Sequence, residues 1–294
     1  MASLSGPLRG VRGLLLDLDG VMVLKGQAIP GAPEALAELD RRGIPFRVVT
    51  NTSLLGPASL ARYGRTIGID IPAERILSGV SVSAELTARK YPGRPIYVLA
   101  SDDARSQFDG QRLLSDAEAD APDGAAAAVV VGDAPERLSH ATLNRAFRLI
   151  RGGAELIAMH RNPWWLTPDG PTIDSGAVVA GLEFATGVTA TLVGKPARAM
   201  FVVAAGQVQA EIAARADGGS RRVPRSAIAM VGDDVQADVL AAQRAGLRGV
   251  LVLTGKHGPA DVAALEKRRG AGRRAGRVPD FVAPTLADVV AALD

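Results

Sequence analysis

Residues 11–21 read Val11-Arg12-Gly13-Leu14-Leu15-Leu16-Asp17-Leu18-Asp19-Gly20-Val21, an apolar run that ends abruptly in two carboxylates and a glycine. A continuous apolar run reads as a strand buried on both faces, as in a parallel sheet covered by helices. Ligand sites in open α/β sheets lie outside the carboxyl ends of the strands, so Asp17 and Asp19 stand where ligands bind. Residues i and i+2 of an extended chain share a side, which makes the two carboxylates converge while Leu18 points away. Gly20 lets the backbone turn sharply. Taken alone, such a pair also serves as ordinary loop acceptors. The rest of the chain has to decide.

Outward from this stretch the same grammar recurs. Apolar spacing at Ala35, Leu36 and Leu39 predicts a helix over 33–42, stopped by Gly43. A second buried strand over 46–49 runs into Thr50-Asn51-Thr52, and a helix over 58–67 ends at Gly68. In the last third, a strand over 190–193 gives way to Gly194-Lys195-Pro196 and a helix over 198–214. A strand over 228–231 ends in Gly232-Asp233-Asp234, followed by a helix over 235–245, a strand over 249–253 and a closing helix over 286–293. Between these thirds lies a block with its own pattern: strands over 96–99, 129–131 and 156–158, helices over 138–150 and 178–185. Strands alternating with helices predict an α/β protein with parallel sheets. The expected organisation is a discontinuous core, 1–80 with 190–294, and an inserted domain, 81–189.

Four further elements reach equivalent strand ends. Thr50 and Asn51 offer a hydroxyl and an amide suited to phosphate oxygens. Lys195 is one of five lysines beside 29 arginines, which suggests that a compact ammonium is wanted there. Asp233 and Asp234 end another strand, with Asp238 a turn later. Each has an ordinary explanation: helix caps for Asp233 or Asp234, a helix start for Asp238, a surface site for Lys195. Together they form a set of oxygen ligands without Cys or His, which suits a hard cation, Mg²⁺ rather than Zn²⁺. A phosphate dianion meeting a carboxylate nucleophile needs such a cation and Lys195 to offset the repulsion. A carboxylate attacking phosphorus gives an aspartyl-phosphate, and a second carboxylate supplies and then removes the proton.

Composition narrows the field. The chain has 294 residues, 47% hydrophobic and 22% charged, as in ordinary globular proteins. No cysteine is present, which excludes disulfides, thiolate metal sites, iron–sulfur clusters and cysteine nucleophiles. The three histidines, His140, His160 and His257, are too scattered for a histidine-rich metal site to be expected. There is no apolar run long enough to span a bilayer and no secretory signal, so a cytoplasmic location without membrane partners is expected. Six of the basic residues fall in Lys267 to Arg277 with no acid, and without them a net charge of +3 becomes −3. That stretch reads as a solvated loop, since no aromatic residue is interleaved for stacking, and nucleic acid is not expected as a partner.

The motifs Leu15-Leu16-Asp17-Leu18-Asp19-Gly20-Val21, Thr50-Asn51-Thr52, Val193-Gly194-Lys195-Pro196 and Val231-Gly232-Asp233-Asp234 with Asp238 resemble those of haloacid dehalogenase (HAD) superfamily phosphatases of class IIA, the NagD-like group. Gly181-Leu182-Glu183-Phe184-Ala185-Thr186-Gly187 and Thr254-Gly255-Lys256 are similar to the subgroup named for phospholysine, phosphohistidine and inorganic pyrophosphate phosphatase. The resemblance implies a Rossmann-like core with an inserted α/β cap and a small phosphorylated substrate. It makes Asp17 the nucleophile and a metal ligand, and Asp19 the general acid/base and a ligand through its carbonyl. It has Thr50 and Asn51 hold phosphate, Lys195 steady nucleophile and phosphate, and Asp233 complete the metal shell with Asp234 and Asp238 behind it. Thr52 departs from the asparagine of many relatives. A phosphomutase or phosphotransferase on the same site and a non-catalytic binding protein are the alternatives, and association of copies through the cap is left open. For specificity the candidates are His160, Arg161, Trp164 and Trp165. One tryptophan would anchor the cap while the other faces the cleft, or both would pack in its core; His160 and Arg161 would meet a polar or anionic leaving group or lie at the surface.

Overall fold

The computed structural model describes residues 8–167, 169–215, 223–270 and 278–294. Its strands are β1 (Gly13–Leu16), β2 (Val23–Leu24), β3 (Gln27–Ala28), β4 (Phe46–Thr50), β5 (Ile76–Ser78), β6 (Ile96–Leu99) and β7 (Ala128–Val131) in the first half of the chain. The second half supplies β8 (Glu155–Ala158), β9 (Trp164–Thr167), β10 (Gly170–Ile173), β11 (Thr191–Leu192), β12 (Ile228–Gly232), β13 (Arg248–Val252) and β14 (Phe281–Ala283). The chain divides into two compact units: the described parts of Met1–Thr50, Ala61–Ile76 and Lys195–Asp294 form one, Asn51–Leu60 with Leu77–Gly194 the other.

The first unit is built on a six-stranded sheet in the order β14-β13-β12-β1-β4-β5. Pairing is parallel for β1 with β12 and β4, and for β13 with β12 and β14. Every residue of β1 and β12 is buried, as a strand sandwiched between helices requires. The chain lays down β1, β4 and β5 in one direction, then returns to β1's other edge and continues through β12, β13 and β14 in the opposite one. The strand order reverses beside β1, where such sheets open a ligand crevice. Register places the crevice: Leu16 pairs with Val231 and with Val48, so Asp17, Asp233 and Thr50 all leave the sheet at the same end. On one face lies the helix Arg198–Ala214. A Cβ added at Gly13 would come 2.4 Å from Val208 Cγ1, so β1 and this helix meet at a distance only glycine permits.

In the second unit β6, β7, β8 and β11 form a parallel sheet in the order β11-β8-β7-β6. Helices His140–Arg151 and Ser175–Thr186 accompany it, and its core joins Tyr97, Leu99, Val129, Leu149, Leu156 and Leu182. The strand expected at 190–193 is β11, which pairs with β8 here and does not join the six-stranded sheet. So short a strand carries no signal of which sheet it will enter. Also unforeseen were the ribbon β2–β3 after Gly20, the strands β5 and β14, the antiparallel hairpin β9–β10 and the helices Gly79–Lys90 and Pro259–Gly270. The basic loop expected from Lys267 begins as the end of Pro259–Gly270, and its remainder, 271–277, lies outside the described residues.

Candidate active site

Asp17 leaves β1 with its backbone N–H donating to Val231 O at 2.9 Å, which fixes it to the end of β12. It is 7% exposed. Its Oδ1 accepts from the Leu18 N–H at 2.7 Å and lies 2.6 Å from Lys195 Nζ. Lys195, 4% exposed, also reaches Asp238 Oδ1 at 2.8 Å. Asp17, Asp233 and Asp238 bring one carboxylate oxygen each within 4.8 Å of one another. Three buried carboxylates thus share one buried ammonium, and the electrostatics follow from that imbalance. Burial, offset in part by Lys195 and reinforced by Asp233 and Asp19, pushes the Asp17 carboxyl up to about 6. Burial and Asp17 push Asp238 up to about 7 against the pull of Lys195. Asp233 is raised by burial and by Asp238. Lys195 moves the other way: burial disfavours its charge, but Asp17 and Asp238 overcome that and raise it.

The donor set tests what such a cluster can hold. It is all oxygen, carries surplus negative charge and is closely walled, which fits a hard divalent cation. Glycines form the walls. Gly20 has φ +75, and a Cβ there would sit 2.2 Å from Asp233 Oδ2; at Gly255 it would sit 2.0 Å from the same oxygen. A Cβ at Gly232 would come 2.3 Å from Asp238 Cβ, so only glycine lets that carboxylate fold back under the strand.

Around this centre the other residues divide clearly. Asp234 caps the wide turn Val235–Leu240, a single π-helical turn, by accepting from the N–H groups of Gln236 at 2.8 Å and Ala237 at 2.9 Å. Although burial opposes it, those bonds and Lys256 hold Asp234 below the usual carboxylate range. Asp19 is exposed on the turn made by Gly20, close enough to raise Asp17. Thr50 is buried at the end of β4. Sequence reasoning gave no role to the turn after β13. There the Lys256 N–H donates to Asp233 Oδ2 at 2.8 Å, and Thr254 Oγ1 bonds the Gly20 carbonyl. A backbone donor leaves no trace in residue identity; Thr254-Gly255-Lys256 marked the segment only through the subgroup resemblance, without a role.

Asn51, His160, Arg161, Trp164 and Trp165 belong to the second unit. Asn51 Nδ2 donates to Asn162 Oδ1 at 3.3 Å. His160 is 1% exposed, so neither expected setting, leaving-group contact or surface, describes it. Its Nδ1 accepts the Asn162 N–H at 3.3 Å, which puts the ring proton on Nε2. That atom faces Ser53 Oγ at 2.9 Å and Ser175 Oγ at 3.0 Å, with Asp133 at 3.4 Å and Asp174 at 3.6 Å. A protonated Nε2 suits hydrogen bonding here and not metal ligation. Burial and the adjacent Asp133 push the Asp174 carboxyl up to about 7. Arg161 pairs with Glu183. Trp164 and Trp165 are 56% and 48% exposed on β9, so neither packs in a core.

Comparison with known proteins agrees with this geometry. Residues 14–113 match the family model described as haloacid dehalogenase-like hydrolase, and residues 192–289 match one described as HAD-hydrolase-like. The chain is 35% identical over 253 residues to haloacid dehalogenase-like hydrolase domain-containing protein 2 of Bos taurus, covering 86% of this chain and 88% of that protein. It is 32% identical over 267 residues to the phospholysine phosphohistidine inorganic pyrophosphate phosphatase of Homo sapiens, covering 89% and 90%. The crystal structure of 4-nitrophenylphosphatase from Thermotoga maritima superposes with a TM-score of 0.81 at 27% identity, over 98% of this chain and 99% of that one.

Proposed function

The chain belongs to the haloacid dehalogenase-like hydrolase family, and from that premise we propose a Mg²⁺-dependent phosphatase that hydrolyses a small phosphate monoester, pyrophosphate or phosphoramide through an aspartyl-phosphate on Asp17. The observation that carries this reading is the Lys195 ammonium lodged between Asp17 and Asp238 at the point where the strand order reverses. Asp17 Oδ attacks phosphorus, and the bond from phosphorus to the leaving group breaks. Asp19, on the turn after β1 and exposed to solvent, donates a proton to the departing oxygen or nitrogen. Water then attacks the same phosphorus, Asp19 takes its proton, and the Asp17 carboxylate is released. Lys195 holds Asp17 ionised and directs the attacking oxygen; Thr50 and Asn51 are assigned to the phosphate oxygens. Asp17, Asp233 and the Asp19 carbonyl would hold the cation, which when bound supplies positive charge against the phosphate.

Hydrolysis of p-nitrophenyl phosphate should vanish in EDTA and return with Mg²⁺. An enzyme active without metal, or restored by Zn²⁺ alone, would contradict the ligand assignment. Asp19→Asn should slow alkyl phosphates at least tenfold more than p-nitrophenyl phosphate, because the poorer leaving group depends more on the proton. Equal losses would remove the general-acid role.

The reading of the inserted part, expected at 81–189, as a substrate-selecting cap is part of the same proposal, as is a cytoplasmic location. Among the described residues no helix is long and apolar enough to cross a membrane. Since Trp164 and Trp165 are exposed and not structural, replacing either by alanine should leave stability within about 0.5 kcal/mol. If they select substrates, relative kcat/KM across a panel should shift about tenfold, roughly 1.4 kcal/mol of transition-state discrimination. An unchanged substrate ranking in both variants would exclude the hairpin from specificity.

A further inference from the structure

The polar core of the second unit takes no part in the steps above, yet its bonds lead back to Asn51. Ser53 is fully buried there. Its Oγ donates to Asp133 Oδ2 at 2.8 Å and accepts the Asp133 N–H at 2.8 Å. Burial disfavours charge on Asp133, but bonds from His160, Asp174 and Ser53 outweigh it and hold that carboxyl down to about 2, an acceptor. With its one proton spent on Asp133, Ser53 Oγ can only accept from His160 Nε2 at 2.9 Å. That nitrogen therefore carries the ring proton, the tautomer that the Asn162 N–H on Nδ1 also requires. Two independent bonds thus fix one orientation of the imidazole. From Asn162 the path continues through the side chain, whose Oδ1 accepts from Asn51 Nδ2 at 3.3 Å. Ser53, His160, Asn162 and Asn51 form a ring of bonds that the backbone closes through Thr52.

Glycines press on both ends of this segment. A Cβ at Gly194 would come 2.6 Å from Asn51 Oδ1, and one at Gly132 would come 3.1 Å from Ser53 Oγ. All these residues belong to the second unit. Apolar side chains would fill the same volume without the cost of desolvating buried polar groups. What histidine adds is direction: a rigid ring with a donor at one edge and an acceptor at the other.

We propose that His160 is a positioning residue for phosphate binding, which acts through Ser53 and Asn162 to fix segment 51–53 and the plane of the Asn51 amide. The proposal rests on the assignment of Asn51 to the phosphate oxygens. One amide hydrogen of Asn51 is committed to Asn162, so the ring of bonds sets the direction of the other. At 1% exposed, His160 meets no substrate atom itself, and its effect should be the same for every phosphate ester.

The test is inhibition of p-nitrophenyl phosphate hydrolysis by inorganic phosphate, measured on the full-length protein. His160→Leu should weaken that inhibition about tenfold, the scale of coupling within a buried hydrogen-bond network. It should lower kcat/KM for p-nitrophenyl and alkyl phosphates by equal factors. In an Asn51→Ala background the same substitution should change phosphate inhibition by less than about twofold, because the group it positions is gone. His160→Asn, whose Oδ1 replaces Nδ1 as acceptor for the Asn162 N–H, should stay within about threefold of the parent. His160→Gln reaches towards Ser53 but offers nothing at the Nδ1 position. It should bind phosphate more weakly than His160→Asn, and it is the deciding variant if His160→Leu does not fold. The proposal is overturned if a folded His160→Leu or His160→Gln keeps the parent's inhibition constant. It is overturned equally if the full loss persists on Asn51→Ala, as a purely structural role requires, or if the ranking of substrates shifts. Phosphate inhibition unchanged by Asn51→Ala alone marks a different failure, that of the phosphate assignment beneath it.

Discussion

Asp17→Asn should leave a folded protein whose turnover of p-nitrophenyl phosphate is lower by about four orders of magnitude or more, the scale seen when a covalent nucleophile is removed. An amide has no negative oxygen to attack phosphorus and cannot form the acyl-phosphate. Stability should not suffer with it. Asn removes one of three crowded carboxylates, while Lys195 keeps Asp238 as its partner at 2.8 Å. In metal-free buffer the melting temperature should therefore hold or rise. Measuring both quantities on one preparation separates a chemical loss from a folding loss. Near-normal turnover would sink the mechanism, and a collapse of the melting temperature would mean that Asp17 is chiefly structural.

Lys195→Met should do the reverse, costing both activity and stability. The buried ammonium is the counter-charge for Asp17 and Asp238, and removing one member of a buried ionic group typically costs about 3–5 kcal/mol. The cost has a definite pH dependence. Asp17 and Asp238 already have folded values near 6 and 7, above the 3.8 of an unperturbed aspartate, and loss of Lys195 raises them further. A carboxyl raised on folding stabilises the native state below its unfolded value and loses that contribution as pH climbs through its folded value. The variant should accordingly approach the parent near pH 5 and fall furthest behind it near pH 8. Denaturant titration in metal-free buffer at both values measures this. A deficit that is constant with pH, or larger at pH 5, would show that Lys195 matters through packing alone.

Much of this site could be read from residue order because each contributing group sits where a strand stops. Leu14, Leu15 and Leu16 read as a strand buried on two faces, and Asp17 is the first residue past it. Ile228 to Val231 repeats the pattern before Asp233. The reading fails where the decisive group carries no such mark. Thr191 and Leu192 look like a core strand and pair with β8 in the second unit, although Lys195 three residues later still reaches Asp17. His160 reads as a polar neighbour of two tryptophans, but its burial depends on Ser53, Asp133 and Ser175, none of which is near it in sequence. Lys256 acts on Asp233 through its N–H, which every residue but proline possesses.

The central claim is that the phosphoryl group rests on Asp17 during turnover. It is tested by mixing the protein with substrate, quenching in acid within the first turnovers and sequencing the tryptic peptide of residues 13–25 by mass spectrometry. One added phosphoryl group located on Asp17, absent from Asp17→Asn, is the result expected. A peptide that stays unmodified while phosphate is released in a burst, or one modified on Asp19, would contradict it.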